Sequence, residues 1–310
     1  MKNHNLLLFF ILALQATLYS QTCVIAKTLE GHSETIYGIA QSPNGKYMLS
    51  GSDDKKAILW NEKGEIIFDK VVHERSVNDV TFSPDSQRFI TAGSDETFII
   101  WTIDGTKIKT VFADKTYVKT VAYSNDGKFI LSGGGDNIAK LWTADGEFIR
   151  AFKGHTCTIY QASFSPDDKL IVLASCDKTF SIWDINGEKK NTVVHHTNGV
   201  TAASFSPNGE NIITASFDKT AVLWNLKGKL LTTFKGHTGD INQAEFSADG
   251  QYILTASADA TAKLWKVDGT LIKTFGENNK VDYTSATFSK SGKFAIVSSK
   301  DHKITFWNLP

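Results

Sequence analysis

Tryptophan recurs in this chain at a fixed interval. Trp60, Trp101, Trp142, Trp183, Trp224 and Trp265 stand 41 residues apart, Trp307 follows after 42, and the 310-residue sequence holds no other tryptophan. Six residues before each lies an aspartate (Asp54, Asp95, Asp136, Asp177, Asp218, Asp259 and Asp301), and four residues after each of the first six lies a glycine. A period of about 40–45 residues holding several short strands implies a ring of like sheets, because one such unit cannot bury its own apolar faces. In the first unit the strands read IYGIAQS, YMLSGS and KAILW, with Pro43-Asn44-Gly45 turning between the first two. Later turns use Asp126-Gly127, Asn208-Gly209 and Asp249-Gly250, residues that accept the positive φ of tight hairpins. Apolar residues alternate in short runs and no window keeps helical spacing, so the repeats are all-β.

The ends are accounted for separately. After Trp307 only Asn308-Leu309-Pro310 remain, so the last unit lacks an outer strand, while residues 23–29 form a strand with no unit of their own. Joining the two gives seven blades of four antiparallel strands, closed by the N-terminal strand pairing in the last blade, with no sheet missing an edge. Residues 1–20 read as a cleaved secretory leader. Lys2 is its one charge, Leu6 to Leu14 is an unbroken apolar run of nine, and Ser20 offers a small residue at the cut. Nine apolar residues fall far short of the ~20 that span a bilayer, so no transmembrane span is expected. An uncleaved anchor is the weaker alternative. Acylation at Cys23 is disfavoured by Thr22 before it. The expectation is one domain over 21–310, exported to a periplasmic, cell-surface or extracellular location.

Lysine plus arginine equals aspartate plus glutamate at 33 each. Such a balanced surface lacks the basic field that phosphate backbones demand, which excludes nucleic acid as the main partner. No Asn-x-Ser/Thr sequon occurs.

Gly31-His32, Gly154-His155 and Gly236-His237, each opening a unit, and segments such as SFDKTAVLW ending at Trp224, recur in register across residues 23–310. On these motifs the chain resembles the WD-repeat β-propeller family, although only Trp183-Asp184 spells the family's dipeptide. The resemblance implies that the histidine 28 before each tryptophan, the hydroxyl 10 before and the aspartate 6 before form structural tetrads. Complete sets are His32/Ser50/Asp54/Trp60, His73/Thr91/Asp95/Trp101, His196/Thr214/Asp218/Trp224 and His237/Thr255/Asp259/Trp265. A hydrolase triad would use the same residue types, but it would be needed once rather than four times, and the donors and acceptors satisfy one another in sequence. Asp114 replaces the third histidine, Leu173 the fourth hydroxyl, and Asn278 and Val297 occupy the seventh unit, which places those three networks in doubt.

Cys157 and Cys176 flank the fourth unit's histidine and aspartate and should lie at one end of that blade. There a disulfide can form, with two free thiols the preferred reading. Gly133-Gly134-Gly135 joins two strands and opens no helix, so it does not read as a phosphate loop. His195-His196 lacks companion ligands for a metal. No cofactor and no metal are expected.

The resemblance also implies that binding uses the face carrying the histidine and aspartate loops. Tyr37, Asn78, Tyr117, Lys119, Tyr160, Thr201, Phe217 and Asn242 project there, with Asp53, Asp240 and Lys300 nearby. Aromatic residues among them are either interface anchors or mutual packing at a channel mouth. The function expected is a non-catalytic scaffold for a protein or peptide partner, acting as a monomer. The alternatives are a small-ligand or glycan binder, and a hydrolase- or lyase-like enzyme at the channel mouth.

Overall fold

The computed structural model describes residues 24–277 and 280–310. The leader, Cys23 and Asn278 lie outside the described residues. Twenty-eight strands, β1–β28 in chain order, are formed among the described residues, in seven separate four-stranded antiparallel sheets. The first blade is β2 (Ile36–Gln41), β3 (Tyr47–Ser52), β4 (Lys56–Asn61) and β5 (Ile66–Val71) from axis to rim, and the next five repeat it. The last blade is β26 (Tyr283–Phe288), β27 (Phe294–Ser299), β28 (Lys303–Asn308) and then β1 (Ile25–Glu30). Leu29 faces Ile304 and Thr28 faces Thr305, so the first strand completes the final sheet as its outer edge. The protein is an all-β, seven-bladed propeller. No helix among the described residues is long and apolar enough to cross a membrane.

The tryptophan period has a packing cause. Each indole sits on the strand third from the axis and covers the face of the preceding blade. Trp183 packs with Leu131, Leu141 and Phe152 of the third blade, and Trp265 with Ala215, Leu223 and Phe234 of the fifth. The outer-strand rings Phe68, Phe152 and Phe234 meet the next blade's tryptophan edge-on, at centroid distances of 5.7, 5.8 and 5.9 Å. One large flat ring at every seam removes from water the apolar face that a lone sheet would expose.

The turns also repeat. The residue after each repeat aspartate has positive φ, from Lys55 at 70° to His302 at 69°. The aspartate's Oδ1 supports this turn by accepting the N–H two residues on, as at Lys56 N (2.9 Å) and Thr220 N (3.0 Å).

A bulge near the start of every inner strand positions the axial channel. The ladder slips between Ile36 and Gly38 in the first blade and at the matching place in the other six. The extra residues are Tyr37, Asn78, Lys119, Tyr160, Thr201, Asn242 and Thr284. A bulge re-aims its extra side chain, and here it lets consecutive residues line the channel, as Asn78 with Asp79 and Lys119 with Thr120.

Candidate functional site

In the second, fifth and sixth units the histidine, hydroxyl, aspartate and tryptophan form one unbroken chain. In the fifth, Trp224 Nε1–H donates to Thr214 Oγ1 (2.9 Å), that hydroxyl meets His196 Nε2 (2.9 Å), and His196 Nδ1 meets Asp218 Oδ2 (2.7 Å). The second unit repeats this through Thr91, which accepts from Trp101 Nε1–H (3.1 Å) and meets His73 Nε2 (2.9 Å), with His73 Nδ1 on Asp95 (2.9 Å). The sixth does so through Thr255, which accepts from Trp265 Nε1–H (3.0 Å) and meets His237 Nε2 (2.8 Å), with His237 Nδ1 on Asp259 (2.8 Å). A carboxylate only accepts and an indole only donates, so the proton lies on Nδ1 and a neutral imidazole satisfies every link. Asp218 Oδ2 also accepts Thr197 N–H, which ties the histidine loop to the aspartate loop (3.1 Å).

The first unit has His32 bonded to Asp54 (2.8 Å) and to Ser50 (2.6 Å), with its ring edge-on to Trp60. Ser50, Thr91, Thr214 and Thr255 are all fully buried, 0% exposed, and none lines the channel mouth. These hydroxyls therefore face one another's partners inside the blades and present nothing to a solute, which is the geometry of a structural relay. Burial alone would raise the pKa of Asp54 and Asp95. The bonds from His32 and His73, with backbone N–H groups, outweigh it and hold both at about 2.

The three doubtful units resolve differently. In the fourth, Leu173 removes the usual hydroxyl, but Ser181, directly across the ladder on the next strand, supplies one. Trp183 Nε1–H donates to Ser181 Oγ (2.7 Å), which meets His155 Nε2 (2.6 Å), and His155 Nδ1 meets Asp177 (2.8 Å). That relay is intact, by a different strand. In the third unit Trp142 donates to Ser132 (2.9 Å), while Lys140 takes the cationic side of Asp136 (2.6 Å) and donates to Ala113 O (2.7 Å). Burial and the neighbouring Asp114 raise the Asp136 pKa against Lys140. In the seventh, where Val297 lacks a hydroxyl, the buried Trp307 indole N–H has no partner among the described residues.

Cys157 and Cys176 are joined in a disulfide, with Cα atoms 5.3 Å apart. This corrects the preference for free thiols. The flanking Cys176 N–Thr158 O bond (3.0 Å) and the His155–Asp177 pair already hold the two loops side by side, so the sulfurs meet. The glycine run has a packing cause as well. A Cβ at Gly134 would lie 2.0 Å from Tyr117 O, and one at Gly135 2.5 Å from the Tyr117 ring.

Where the channel opens onto the histidine-loop face there is a cavity of about 420 Å³. Seven of the eight expected binding residues line it, Tyr117 being the exception. Its hydroxyl instead bonds Thr158 Oγ1 of the neighbouring loop (2.8 Å). Thr284, which belongs to the same ring of bulge residues, was not anticipated; counting back 23 from each tryptophan finds it.

Several of these side chains are occupied in joining blades. Asn78 Nδ2 donates to Val118 O (2.8 Å), Thr201 Oγ1 to Ile241 O (2.6 Å), Asn242 Nδ2 to Tyr283 O (2.7 Å) and Thr284 Oγ1 to Ile36 O (2.5 Å). Each reaches the first inner-strand carbonyl of the next blade. Tyr37, Lys119 and Tyr160 carry other groups at the equivalent places. Tyr160 and Phe217 meet edge-on at 5.6 Å, and Lys119 Nζ lies over the Tyr37 ring at 5.4 Å. All four are half-buried and line the cavity.

Two deeper carboxylates on the channel wall are enclosed by protein. Burial pushes Asp79 up to about 6, although its oxygens accept Val80 N–H (2.8 Å) and Val121 N–H (2.9 Å). Glu245, at the opposite end, is pushed by burial to about 7, with Lys290 and the Thr287 hydroxyl opposing. Ser204 Oγ, on the inner strand of the fifth blade, is buried without a partner among the described residues.

Comparison with known families agrees with this geometry. Residues 89–310 match the family described as the IFT122 first beta-propeller, and residues 23–61 and 66–102 match the WD domain, G-beta repeat. The chain belongs to the WD-repeat β-propeller family. WD-repeat propellers commonly serve as protein-interaction scaffolds and are typically non-catalytic. In this propeller the repeated histidine–aspartate pairs hold loops together, and the unrepeated side chains gather at the channel mouth.

Proposed function

We propose that this WD-repeat propeller is an exported scaffold that seats a peptide segment of a protein partner at the mouth of its axial channel. The observation that carries the reading is the break in the ring of blade-joining side chains. Three of the seven bulge positions hold Tyr37, Lys119 and Tyr160. With Phe217, these give an otherwise polar cavity aromatic walls and a cation that is unpaired among the described residues. Aromatic side chains of this kind anchor interfaces at low entropic cost. Export rests on the expected leader over residues 1–20, and the Cys157–Cys176 bond supports it, because such bonds persist in oxidising compartments.

A photo-crosslinking residue placed at Phe217 should capture the partner in the native envelope or medium, whereas one at Lys46, exposed in a turn on the opposite face, should not. Capture from Lys46 alone would place binding elsewhere. The mature protein should begin near Gln21 by N-terminal sequencing. A second reading, a small-ligand binder, is favoured by the cavity's size, which falls in the range of ligand pockets.

A further inference from the structure

Among the described residues two charged groups at the mouth, Lys119 and Asp240, have no side-chain hydrogen bond or ion pair, and Lys119 is the cation of the two. Lys119 rises from the bulge of the third inner strand and places its ammonium over the Tyr37 ring. Among the described residues it has neither a hydrogen-bond acceptor nor a carboxylate within ion-pair distance. An ammonium carries three donors, and enclosing it without acceptors is unfavourable. The cation–π contact offsets part of that cost. The cavity's other charges are differently placed. Asp282 is paired with Lys300 at 2.6 Å, and Asp79 has both oxygens on backbone N–H groups. Asp240 belongs to the sixth blade's loop, three blades round the ring from Lys119.

We propose that the mouth takes a carboxylate, seated on the Lys119 ammonium, with the Tyr160–Phe217 pair covering the apolar stem that carries it. This rests on the reading of the mouth as the binding site. The carboxylate can come from an acidic side chain, a chain terminus or a small free acid. Asp79 and Asp240 disfavour a dianion, so a phosphate is a poorer ligand than a monocarboxylate. Burial lowers the Lys119 pKa in the free protein against the attraction of Asp79, and a seated anion opposes that shift further.

The test is a chemical-shift titration of the oxidised mature protein, residues 21–310. The probes are an N-acetylated, C-amidated tripeptide with central glutamate, its glutamine counterpart, acetyl-triglycine with a free carboxyl end, butyrate and inorganic phosphate. The glutamate peptide should saturate with shifts at the mouth, and the glutamine peptide should bind at least tenfold more weakly. Lys119→Met should abolish the preference, and Lys119→Arg should keep it, with unchanged thermal midpoints. Acetyl-triglycine or butyrate binding in place of the glutamate peptide identifies the other carboxylate sources. A glutamate peptide that binds no more tightly than a glutamine peptide that also binds, a Lys119→Met protein that binds as wild type does, or no carboxylate binding at all overturns the proposal. If Lys119→Met still crosslinks the partner through position 217 at wild-type strength, the carboxylate seat falls while the scaffold reading stands.

Discussion

Ser181 carries a relay that the other intact blades assign to a different strand, which makes it a sharp place to perturb the propeller. Replacing Ser181 with alanine removes one hydroxyl and strands two buried groups, the His155 Nε2 lone pair and the Trp183 indole N–H. A buried polar group left unsatisfied costs about 1–3 kcal/mol. With some relaxation, the two together give about 2–4 kcal/mol. Ser132→Ala is the internal control, because the third blade has no histidine at this place and its hydroxyl serves the Trp142 indole, so about 1–3 kcal/mol is expected. The two variants should therefore rank in that order by urea midpoint at equal slope. Leu173 faces Ser181 across the ladder, so Leu173→Thr restores a hydroxyl at the position the other relays use. In the wild type that substitution only opens a cavity and buries a spare hydroxyl. In the Ser181→Ala background it should cost at least about 1 kcal/mol less, a coupling read from the double-mutant cycle. Additive effects, or a Ser181→Ala loss no larger than that of Ser132→Ala, would refute the relay.

Glu245 gives a pH dependence. An acid whose folded pKa is raised from 4.5 to about 7 holds its proton more tightly when folded, so its contribution is full below 4.5 and is lost as pH rises through about 7. The ceiling is about 3 kcal/mol and the partial exposure of Glu245 reduces it, so Glu245→Gln should raise stability at pH 8 by about 1–3 kcal/mol over its effect at pH 5. A variant with the wild-type pH profile between those values would count against the enclosed carboxylate. The Cys157–Cys176 bond closes a loop with a sequence separation of 19, for which the chain-entropy relation gives about 3 kcal/mol. Native protein should resist alkylation at both cysteines until reduced, and its urea midpoint should then fall; alkylation without reductant would show the bond absent.

The tryptophan interval made the architecture legible because each indole covers a seam, and seven seams repeat one packing problem. Ring closure was legible from the count of strands at the two ends. The relays through Thr91, Thr214 and Thr255 were legible too, because the hydroxyl keeps one offset from the tryptophan that donates to it. The site was less so. That Asn78, Thr201 and Asn242 are committed to neighbouring carbonyls depends on a bulge in every inner strand, and no residue type marks that bulge in the sequence. Thr284 was missed because the insertion before the last unit shifts a forward count by one. Ser181 did leave a signal. The position two before the tryptophan is isoleucine, valine or lysine in five units and a hydroxyl in the two that lack the usual one; Ser181 makes the exchange, whereas Thr305, facing Val297, leaves the Trp307 N–H without a partner among the described residues. The disulfide required a distance as well as a location, and spacing supplies only the location.

The first described strand of the chain is among the last that can be put in place. β1 leaves the ribosome before any blade exists, yet the residues it pairs with in β28 lie 273 to 282 positions downstream. Until β28 has been made, β1 has no sheet to join and the seventh sheet has no rim. A chain in transit is thus an open arc with an unmatched strand at its leading end, and closing so long a loop is entropically slow. The join between β1 and β28 therefore works as a clasp, and it is where an incomplete or truncated chain would come apart first.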